Sequence, residues 1–141
     1  MKLTTSLGLY ALVALAALVV LSGCGGDGRL GVSGTVTVDG EPLASGVISF
    51  QPTADNPAHS AGTGIEGGRY QIPASSGLMP GEYQVRIQAF RKTGRMVEDP
   101  QFGQVEETVP VVFKEAGSLR ATVAASGKNQ IDFDLHSVPD P

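Results

Sequence analysis

The chain has 141 residues, of which 41% are hydrophobic and 17% are charged, and its formal net charge is -4 at pH 7. Its 19 Gly and 9 Pro favour a turn-rich β protein over a helical bundle. Its single Cys excludes a zinc ribbon, an iron–sulfur protein and a disulfide scaffold, because each of these needs several cysteines. The acidic balance argues against nucleic-acid binding, because a nucleic-acid interface requires a clustered basic face.

Residues 1–23 are predicted to be a secretory signal peptide. Lys2 gives a positive start, and the apolar run 7–21 follows without a charge. This run is shorter than the roughly 20 residues that a permanent transmembrane helix needs. The small residues Ser22 and Gly23 come next, which is typical of a cleavage site. We therefore expect residues 1–23 to be removed during export.

The single cysteine lies directly after this apolar run. The segment Leu21-Ser22-Gly23-Cys24 resembles the lipobox of bacterial lipoproteins, in which the cysteine thiol receives a diacylglyceryl group before the signal peptide is cut off. The resemblance implies that Cys24 is the lipidated N-terminus of an exported protein held in the cell membrane or outer membrane by acyl chains. Two acyl chains suffice for stable anchoring. The alternative is an ordinary signal peptide followed by a free thiol.

The rest of the chain is predicted to be a short tether followed by one β domain. Residues 24–31 contain four Gly and no apolar periodicity, which indicates a flexible tether. From Val32 onward, apolar and polar residues alternate with a period of two, as in half-buried strands. The predicted strands are 32–38, 46–52, 61–65, 69–72, 82–90, 119–123 and 129–135. The domain is assigned to 32–137 and a C-terminal tail to 138–141.

The clearest alternation predicts which side chains face the core. In 82–90, the residues at odd positions from Tyr83 to Ala89 are expected to point inward. In 129–135, Ile131, Phe133 and Leu135 are expected to point inward, with the intervening aspartates in solvent. Short strands separated by turn signals, without a convincing helix, predict an all-β fold, a seven-stranded β-sandwich.

Three segments of the domain resemble the carboxypeptidase regulatory-like domains of bacterial envelope proteins. The matching patterns are Gly34-x-Val36-Thr37-x-Asp39-Gly40-x-Pro42-Leu43-x-x-Gly46-x-Ile48-x-Phe50-x-Pro52, Gly62-x-x-x-x-Gly67-Gly68-Arg69-Tyr70, and Gly77-Leu78-x-Pro80-Gly81-x-Tyr83-x-Val85. The resemblance covers about 32–136 and implies a transthyretin-like (prealbumin-like) sandwich. Its residues are turn or inward positions, so they specify a fold rather than an activity. The family is mostly non-catalytic, which implies an accessory or interaction module.

Few side chains are candidates for catalysis or metal binding. The chain lacks the Tyr-Arg-Gly-Ser terminus of the 5-hydroxyisourate hydrolases of this fold. Intradiol dioxygenases, a related sandwich, hold iron with two Tyr and two His, but His59 and His136 are far apart in sequence, and Tyr70 and Tyr83 are at inward positions. No catalytic residue, metal site or cofactor is therefore predicted.

Residues 91–117 have no sustained periodicity. The segment is basic at its start, acidic further on, and contains scattered apolar residues. It is interpreted either as a partner-binding loop or as a long crossover whose apolar residues cover the end of the sandwich. For the first interpretation, the candidate contact residues are Arg91, Arg95, Met96 and Phe102, because Arg, Met and aromatic residues are enriched at interface cores.

These observations favour a lipid-anchored, non-enzymatic module of the cell envelope that acts in protein interaction or envelope structure. The alternative is a glycan or small-ligand binding domain, although the chain has no Trp to stack on a sugar. An enzyme is not expected, because no motif places a base beside a nucleophile. The expected partners are the membrane, through Cys24, and an envelope protein or glycan.

Overall fold

A computed structural model describes residues 27–139 as an all-β domain. The strands are β1 (Val32–Val38), β2 (Glu41–Pro42), β3 (Ser45–Pro52), β4 (Ala61–Glu66), β5 (Arg69–Ile72), β6 (Gly81–Gln88), β7 (Phe90–Asp99), β8 (Gly103–Pro110), β9 (Arg120–Val123), β10 (Asn129–Gln130) and β11 (Phe133–Leu135). One 3-10 turn, Ala74–Ser76, is the only helical element of this range, so the described part offers no helix that could cross a membrane. The all-β prediction is confirmed. The predicted signal peptide 1–23 and the lipidation site Cys24 lie outside the described residues.

Nine strands form one curled sheet in the order β10-β1-β5-β4-β3-β6-β9, with β11 and β2 also pairing with β1. The pairs are antiparallel except that β10 and β11 run parallel to β1. Strands β4 and β5 are joined by the turn Gly67-Gly68, whose two positive φ angles of 56° and 75° suit a tight hairpin. Their register contains the single pair Glu66 and Arg69. The sheet therefore divides there into two groups of strands.

The inward side chains of both groups form one hydrophobic core. Tyr83, Val85, Ile87 and Ala89 are all buried, so the predicted orientation of this strand is confirmed. Aromatic rings connect the two groups: the ring centroids of Phe50 on β3 and Tyr70 on β5 are 6.0 Å apart. The whole core comprises Val32, Val36, Ile48, Phe50, Ile65, Tyr70, Ile72, Leu78, Tyr83, Val85, Ile87, Ala89, Phe113, Ala121, Val123, Phe133 and Leu135.

The last strand pairs with the first but is interrupted. A continuous strand was predicted over 129–135, whereas the structure has β10 and β11 with a break between them. At the break, the Thr35 backbone N–H donates to a carboxylate oxygen of Asp132 at 2.8 Å instead of to a backbone carbonyl. Ile131, predicted to point inward, is half-buried against the core, and its N–H donates to the Ser33 carbonyl at 2.8 Å.

The segment 91–117 contains regular structure that the sequence did not predict. The predicted strand 82–90 ends at Gln88, and the chain then forms the hairpin β7–β8. It returns to the body at Phe113, which pairs with Ser137. The segment is therefore not an irregular loop, because 90–110 is a two-stranded antiparallel sheet. It is not a crossover between sheets either, because the strands that it connects, β6 and β9, pair with each other. Partner binding by this segment stays a prediction.

Both ends of the predicted domain make further contacts. Leu30, in the predicted tether, exchanges two backbone hydrogen bonds with Leu78, at 2.8 and 3.0 Å. Val138, in the predicted tail, donates to the Val112 carbonyl at 2.8 Å.

Because β1 and β6 run in the same direction, Leu30 lies at the end where β1 begins, and the hairpin leaves the opposite end, where β6 finishes.

Candidate functional site: a protruding hairpin

The hairpin β7–β8 contributes nothing to the hydrophobic core. No residue from 90 to 110 is buried. Its register runs from the pair Phe90 and Pro110 at the base to the pair Asp99 and Gly103 near the tip, with a bulge between Lys92 and Met96. Within residues 27–139 each strand of the hairpin has a single neighbour, so in this range the hairpin is a two-stranded arm whose outer edges pair with no other strand.

The tip is a compact turn that presents an aromatic ring. A carboxylate oxygen of Asp99 accepts the backbone N–H groups of Gln101 and Phe102, at 2.8 and 3.0 Å. Gly103 follows with φ of 74°, a conformation that favours glycine. Phe102 is 76% exposed, the highest value among the large hydrophobic residues of the described range.

One side of the arm, here named the Met96 face, combines apolar and charged groups. Cross-strand partners share a face, so the register places Phe90, Lys92, Met96 and Glu98 of β7 together on this side. Phe90 is 59% exposed and Met96 is 55% exposed. Lys92 contacts Glu106 of β8 at 3.1 Å.

The opposite side of the arm is more closely packed. Val97 and Val105 are directly paired and half-buried. Arg91 is on this side, paired with Val109, and Arg95, in the bulge, approaches Glu107 at 3.9 Å. The four predicted contact residues therefore lie in one hairpin but not in one patch: the two arginines are on this side, Met96 is on the other and Phe102 is at the tip.

An apolar pocket at the base of the arm was not predicted from the sequence. Its volume is about 270 Å³, and its walls include Ile87, Ala89, Phe90, Pro110, Val112 and Phe113. Val112 and Phe90 are both more than half exposed, so the pocket is accessible from solvent. The apolar run Val111-Val112-Phe113 is the sequence feature that could have indicated this pocket. We name this cavity the base pocket.

A larger polar cleft opens where β4 and β5 diverge. Its volume is about 750 Å³, and the polar groups around it come from Ser33, Thr35, Glu66, Arg69, Gln71 and Gln130. Gly64 also lines it, and a Cβ at this position would meet only one atom, at 3.9 Å. The cleft is therefore rich in hydroxyl, amide and charged groups and has an open wall.

A polar cluster fastens the C-terminal segment beside the base of the arm. Glu115 accepts the His136 backbone N–H at 2.9 Å and lies 2.8 Å from its ring Nδ1. The hydrogen bond to Glu115 raises the pKa of His136 above 6.5, and the bonds from His136 lower the pKa of the Glu115 carboxyl. Nearby, the Ser137 hydroxyl and backbone N–H both donate to Asp39 and lower the pKa of that carboxyl.

The residues considered for metal binding do not converge. The Tyr70 hydroxyl donates to the Ile131 carbonyl at 2.5 Å, and the Tyr83 hydroxyl donates to the Met79 carbonyl at 2.8 Å. His136 is beside the arm, whereas His59 lines a separate cavity with Met79 near the opposite end. Within residues 27–139, no three His, Cys, Asp or Glu side chains form a group that could hold a metal ion.

No family model matches the chain, and no curated protein matches it. One solved structure is similar, a 9R-lipoxygenase from Cyanothece PCC8801, at 12% identity and a TM-score of 0.37. The match covers 89% of this chain and 20% of the lipoxygenase.

Proposed function

We propose that this chain is a lipid-anchored, non-enzymatic module of the bacterial cell envelope that binds a partner through the hairpin β7–β8. The observation that carries the proposal is the arm itself. None of the twenty-one consecutive residues 90–110 is buried, yet they form a paired hairpin with one bulge and display Phe102 at a structured tip. A self-contained hairpin with exposed aromatic and Met side chains suits recognition better than stability.

The same proposal includes the fold. We propose that the curled sheet is a two-layer sandwich of the transthyretin-like type. In its support, β4 and β5 share one residue pair, and the two groups of strands on either side of that pair contribute to one core. The turn glycines of the resemblance, Gly67 and Gly68, are located at this junction.

Attachment to a membrane rests on the sequence Leu21-Ser22-Gly23-Cys24. Leu30 is the first residue of the described range that pairs with another segment, and the six residues from 25 to 30 span at most about 20 Å when extended. Leu30 is at the end of the body opposite to the arm. A chain tethered at Cys24 can therefore present the arm on the side away from its anchor.

The anchor is tested by replacing Cys24 with Ser. We expect the wild-type protein to fractionate with membranes and to carry acyl chains on Cys24 by mass spectrometry. Cys24→Ser should give an uncleaved precursor or a soluble product. Recovery of the wild-type protein with an unmodified Cys24 thiol would contradict the proposal.

The role of the arm is tested by shortening it. Replacing residues 92–108 with a short Gly/Ser linker retains the pairs Phe90 with Pro110 and Arg91 with Val109 at the base. The body should remain folded, since loop-closure entropy changes slowly with length, and circular dichroism would verify this. Crosslinking in intact cells should then lose the partners captured by the wild type. Unchanged crosslinks would mean that the binding surface is elsewhere.

A second candidate function is binding of a glycan or small polar ligand in the polar cleft. It is favoured by the cleft volume of about 750 Å³ and by its hydroxyl and amide walls. A polysaccharide array is the appropriate screen. Binding that persists in the arm-shortened protein but is lost when Gly64→Gln fills the open wall would favour this function over the first.

A further inference from the structure

We propose that a pocket at the Leu30 end of the body binds the phosphodiester headgroup of a membrane phospholipid. The pocket has a volume of about 340 Å³, and we name it the Arg29 pocket. Its walls include Arg29, His59, Ser60, Ser76, Gly77 and Met79. This inference rests on the lipid anchor of the proposed function and extends it, because it gives the body a second contact with the same membrane.

The distance from Cys24 determines what the Arg29 pocket can reach. The five residues 25–29 span at most about 18 Å when extended. Acyl chains on Cys24 lie in the hydrocarbon core of the bilayer, and the polar layer on each side of that core is about 5–8 Å thick. Arg29 is therefore held within reach of the headgroups of the membrane in which Cys24 is anchored.

Backbone hydrogen bonds place Arg29 beside Met79. Leu30 and Leu78 form an antiparallel bridge with bonds of 2.8 and 3.0 Å. In an antiparallel pair, the residue before one partner lies opposite the residue after the other, so Arg29 is opposite Met79. Gly28 lies against the same side chain, since a Cβ at Gly28 would be 3.2 Å from the Met79 Cε. One wall of the pocket is therefore the chain that leads to the anchor.

The loop that contributes His59 is also held by hydrogen bonds. The side-chain amide of Asn56 donates to the Glu82 carbonyl at 3.0 Å, and its oxygen accepts the Ala58 N–H at 3.1 Å. These bonds connect the loop before His59 to the start of β6. The walls of the pocket are therefore arranged before any ligand binds, which lowers the entropy cost of binding.

The chemistry of the walls suits a phospholipid headgroup. A guanidinium such as that of Arg29 presents a planar set of N–H donors that matches phosphate oxygens. The two serine hydroxyls and the His59 ring supply further donors, and none of the described residues that line the pocket is Asp or Glu. Met79 is 39% exposed, and its flexible apolar side chain can pack against the carbons beside the phosphodiester.

A carboxylate competes for the guanidinium. The Arg29 Nε lies 3.1 Å from a carboxylate oxygen of Asp27, and the two side chains are 41% and 67% exposed. An ion pair at this exposure contributes little, and the guanidinium has other N–H donors besides Nε. Removing the Asp27 charge should therefore strengthen phosphodiester binding, whereas removing Arg29 should weaken it.

Phosphorus that co-purifies with the full-length chain tests the proposal. A diacylglyceryl group and an amide-linked acyl chain on Cys24 contain no phosphorus, so the phosphorus reports only on bound ligand. The chain is purified from a bacterial host in dodecyl maltoside, which also lacks phosphorus, and is extracted with chloroform and methanol. The wild type should yield one phospholipid per chain in the organic phase. Phosphorus in the aqueous phase alone identifies free phosphate and overturns the lipid assignment.

Charge variants of the lipid-depleted chain are then compared. The probe is a mixture of phosphatidylethanolamine and phosphatidylglycerol in the same detergent. Arg29→Gln should raise the Kd about tenfold or more, because charge-assisted hydrogen bonds are lost, and Asp27→Asn should lower it about twofold or more. Arg86→Gln is the matched control, because Arg86 is exposed on β6 outside the pocket. Equal Kd values for Arg29→Gln and Arg86→Gln overturn the proposal.

A bulky side chain tests the cavity separately from its charge. Ser76→Phe adds a ring to the wall and should remove the bound phospholipid. Ser75→Phe is the matched control, because Ser75 is exposed on the same 3-10 turn but does not line the pocket. Circular dichroism verifies that both variants are folded. Equal retention of phospholipid by the two variants overturns the proposed site.

The outcomes separate this inference from the proposed function. Mass spectrometry of the same samples shows whether Cys24 carries acyl chains. Acylated Cys24 without bound phospholipid overturns only the headgroup site. Unmodified Cys24 overturns the anchor and the headgroup site with it, because no membrane is then held beside the pocket.

Discussion

Replacing Gly34 by Ala should disrupt the contact between β1 and the segment at Ile131, and so destabilise the domain. Gly34 is on β1, opposite Tyr70. A Cβ built at this position would lie 1.8 Å from the Ile131 carbonyl oxygen and 3.0 Å from the Tyr70 ring. Real Cβ atoms essentially never approach another heavy atom closer than 3.0 Å. The backbone at Ile131 must therefore retreat by more than an ångström.

That retreat breaks two hydrogen bonds. The Ile131 N–H donates to Ser33 at 2.8 Å, and its carbonyl accepts the Tyr70 hydroxyl at 2.5 Å. Overpacking costs about 1–3 kcal/mol, and a buried hydroxyl left without a partner costs about 1–3 kcal/mol more. We therefore expect Gly34→Ala to lower the free energy of unfolding by about 2–6 kcal/mol, a large part of the about 5–15 kcal/mol of a small domain.

Urea unfolding followed by far-ultraviolet circular dichroism measures this loss. Gly64→Ala is the matched control, because Gly64 is also in a strand but a Cβ there would meet nothing closer than 3.9 Å. The control should stay within about 0.5 kcal/mol of the wild type or become more stable. Equal stability of the two variants would refute the close packing of β1 against residue 131.

Three further predictions concern the core, the break in the last strand and the C-terminal cluster. Tyr83→Ala should cost about 3–5 kcal/mol and Tyr83→Phe, which loses only the bond to Met79, about 1 kcal/mol, both by urea unfolding. Asp132→Ala, which removes the acceptor of the Thr35 N–H, should cost about 1 kcal/mol by the same assay; no change would mean that water replaces the carboxylate. The hydrogen bond to Glu115 raises the pKa of His136 above 6.5, so its stabilisation should be complete below pH 6.5 and decline as the pH rises through the raised value. An NMR titration of the His136 ring should show its pKa fall towards 6.5 in Glu115→Gln, and an unchanged value would contradict the pairing.

The sequence predicted the body of the fold because each strand there has one buried side. Tyr83, Val85 and Ile87 alternate with polar residues, and their burial follows directly from that pattern. The predicted hairpin 61–65 and 69–72 also corresponds to β4 and β5. The local alternation of apolar and polar residues therefore predicted these strands, because their inward side chains contact the hydrophobic core.

The arm was missed because neither of its sides enters the core. Without burial there is no selection for alternating apolar residues, so β7 and β8 resemble an irregular segment. The bulge between Lys92 and Met96 also shifts the register, which breaks any remaining period of two. Sequence composition identified Met96 and Phe102 as candidate contact residues, but it did not indicate that the arginines face the other way.

The position of the base pocket and of the polar cleft depends on contacts between distant segments. The base pocket joins Ile87 and Phe113 across the arm, and the cleft joins Ser33 to Glu66 and Gln130. No local pattern encodes these distances. Both cavities become visible only once the strand order is known.

The parallel pairing of β1 with β10 and β11 has a consequence for how the chain folds. Thr35 and Asp132, which are hydrogen-bonded, are separated by 97 residues, so β1 cannot acquire its neighbours on this side until residues 129–135 have been made. Contacts at such separations slow folding. The antiparallel strands β3, β4 and β6 are close in sequence and can pair earlier. During synthesis from the N-terminus, β1 can therefore pair early with β2 and β5, whereas its parallel partners β10 and β11 become available only after residue 129 has been made.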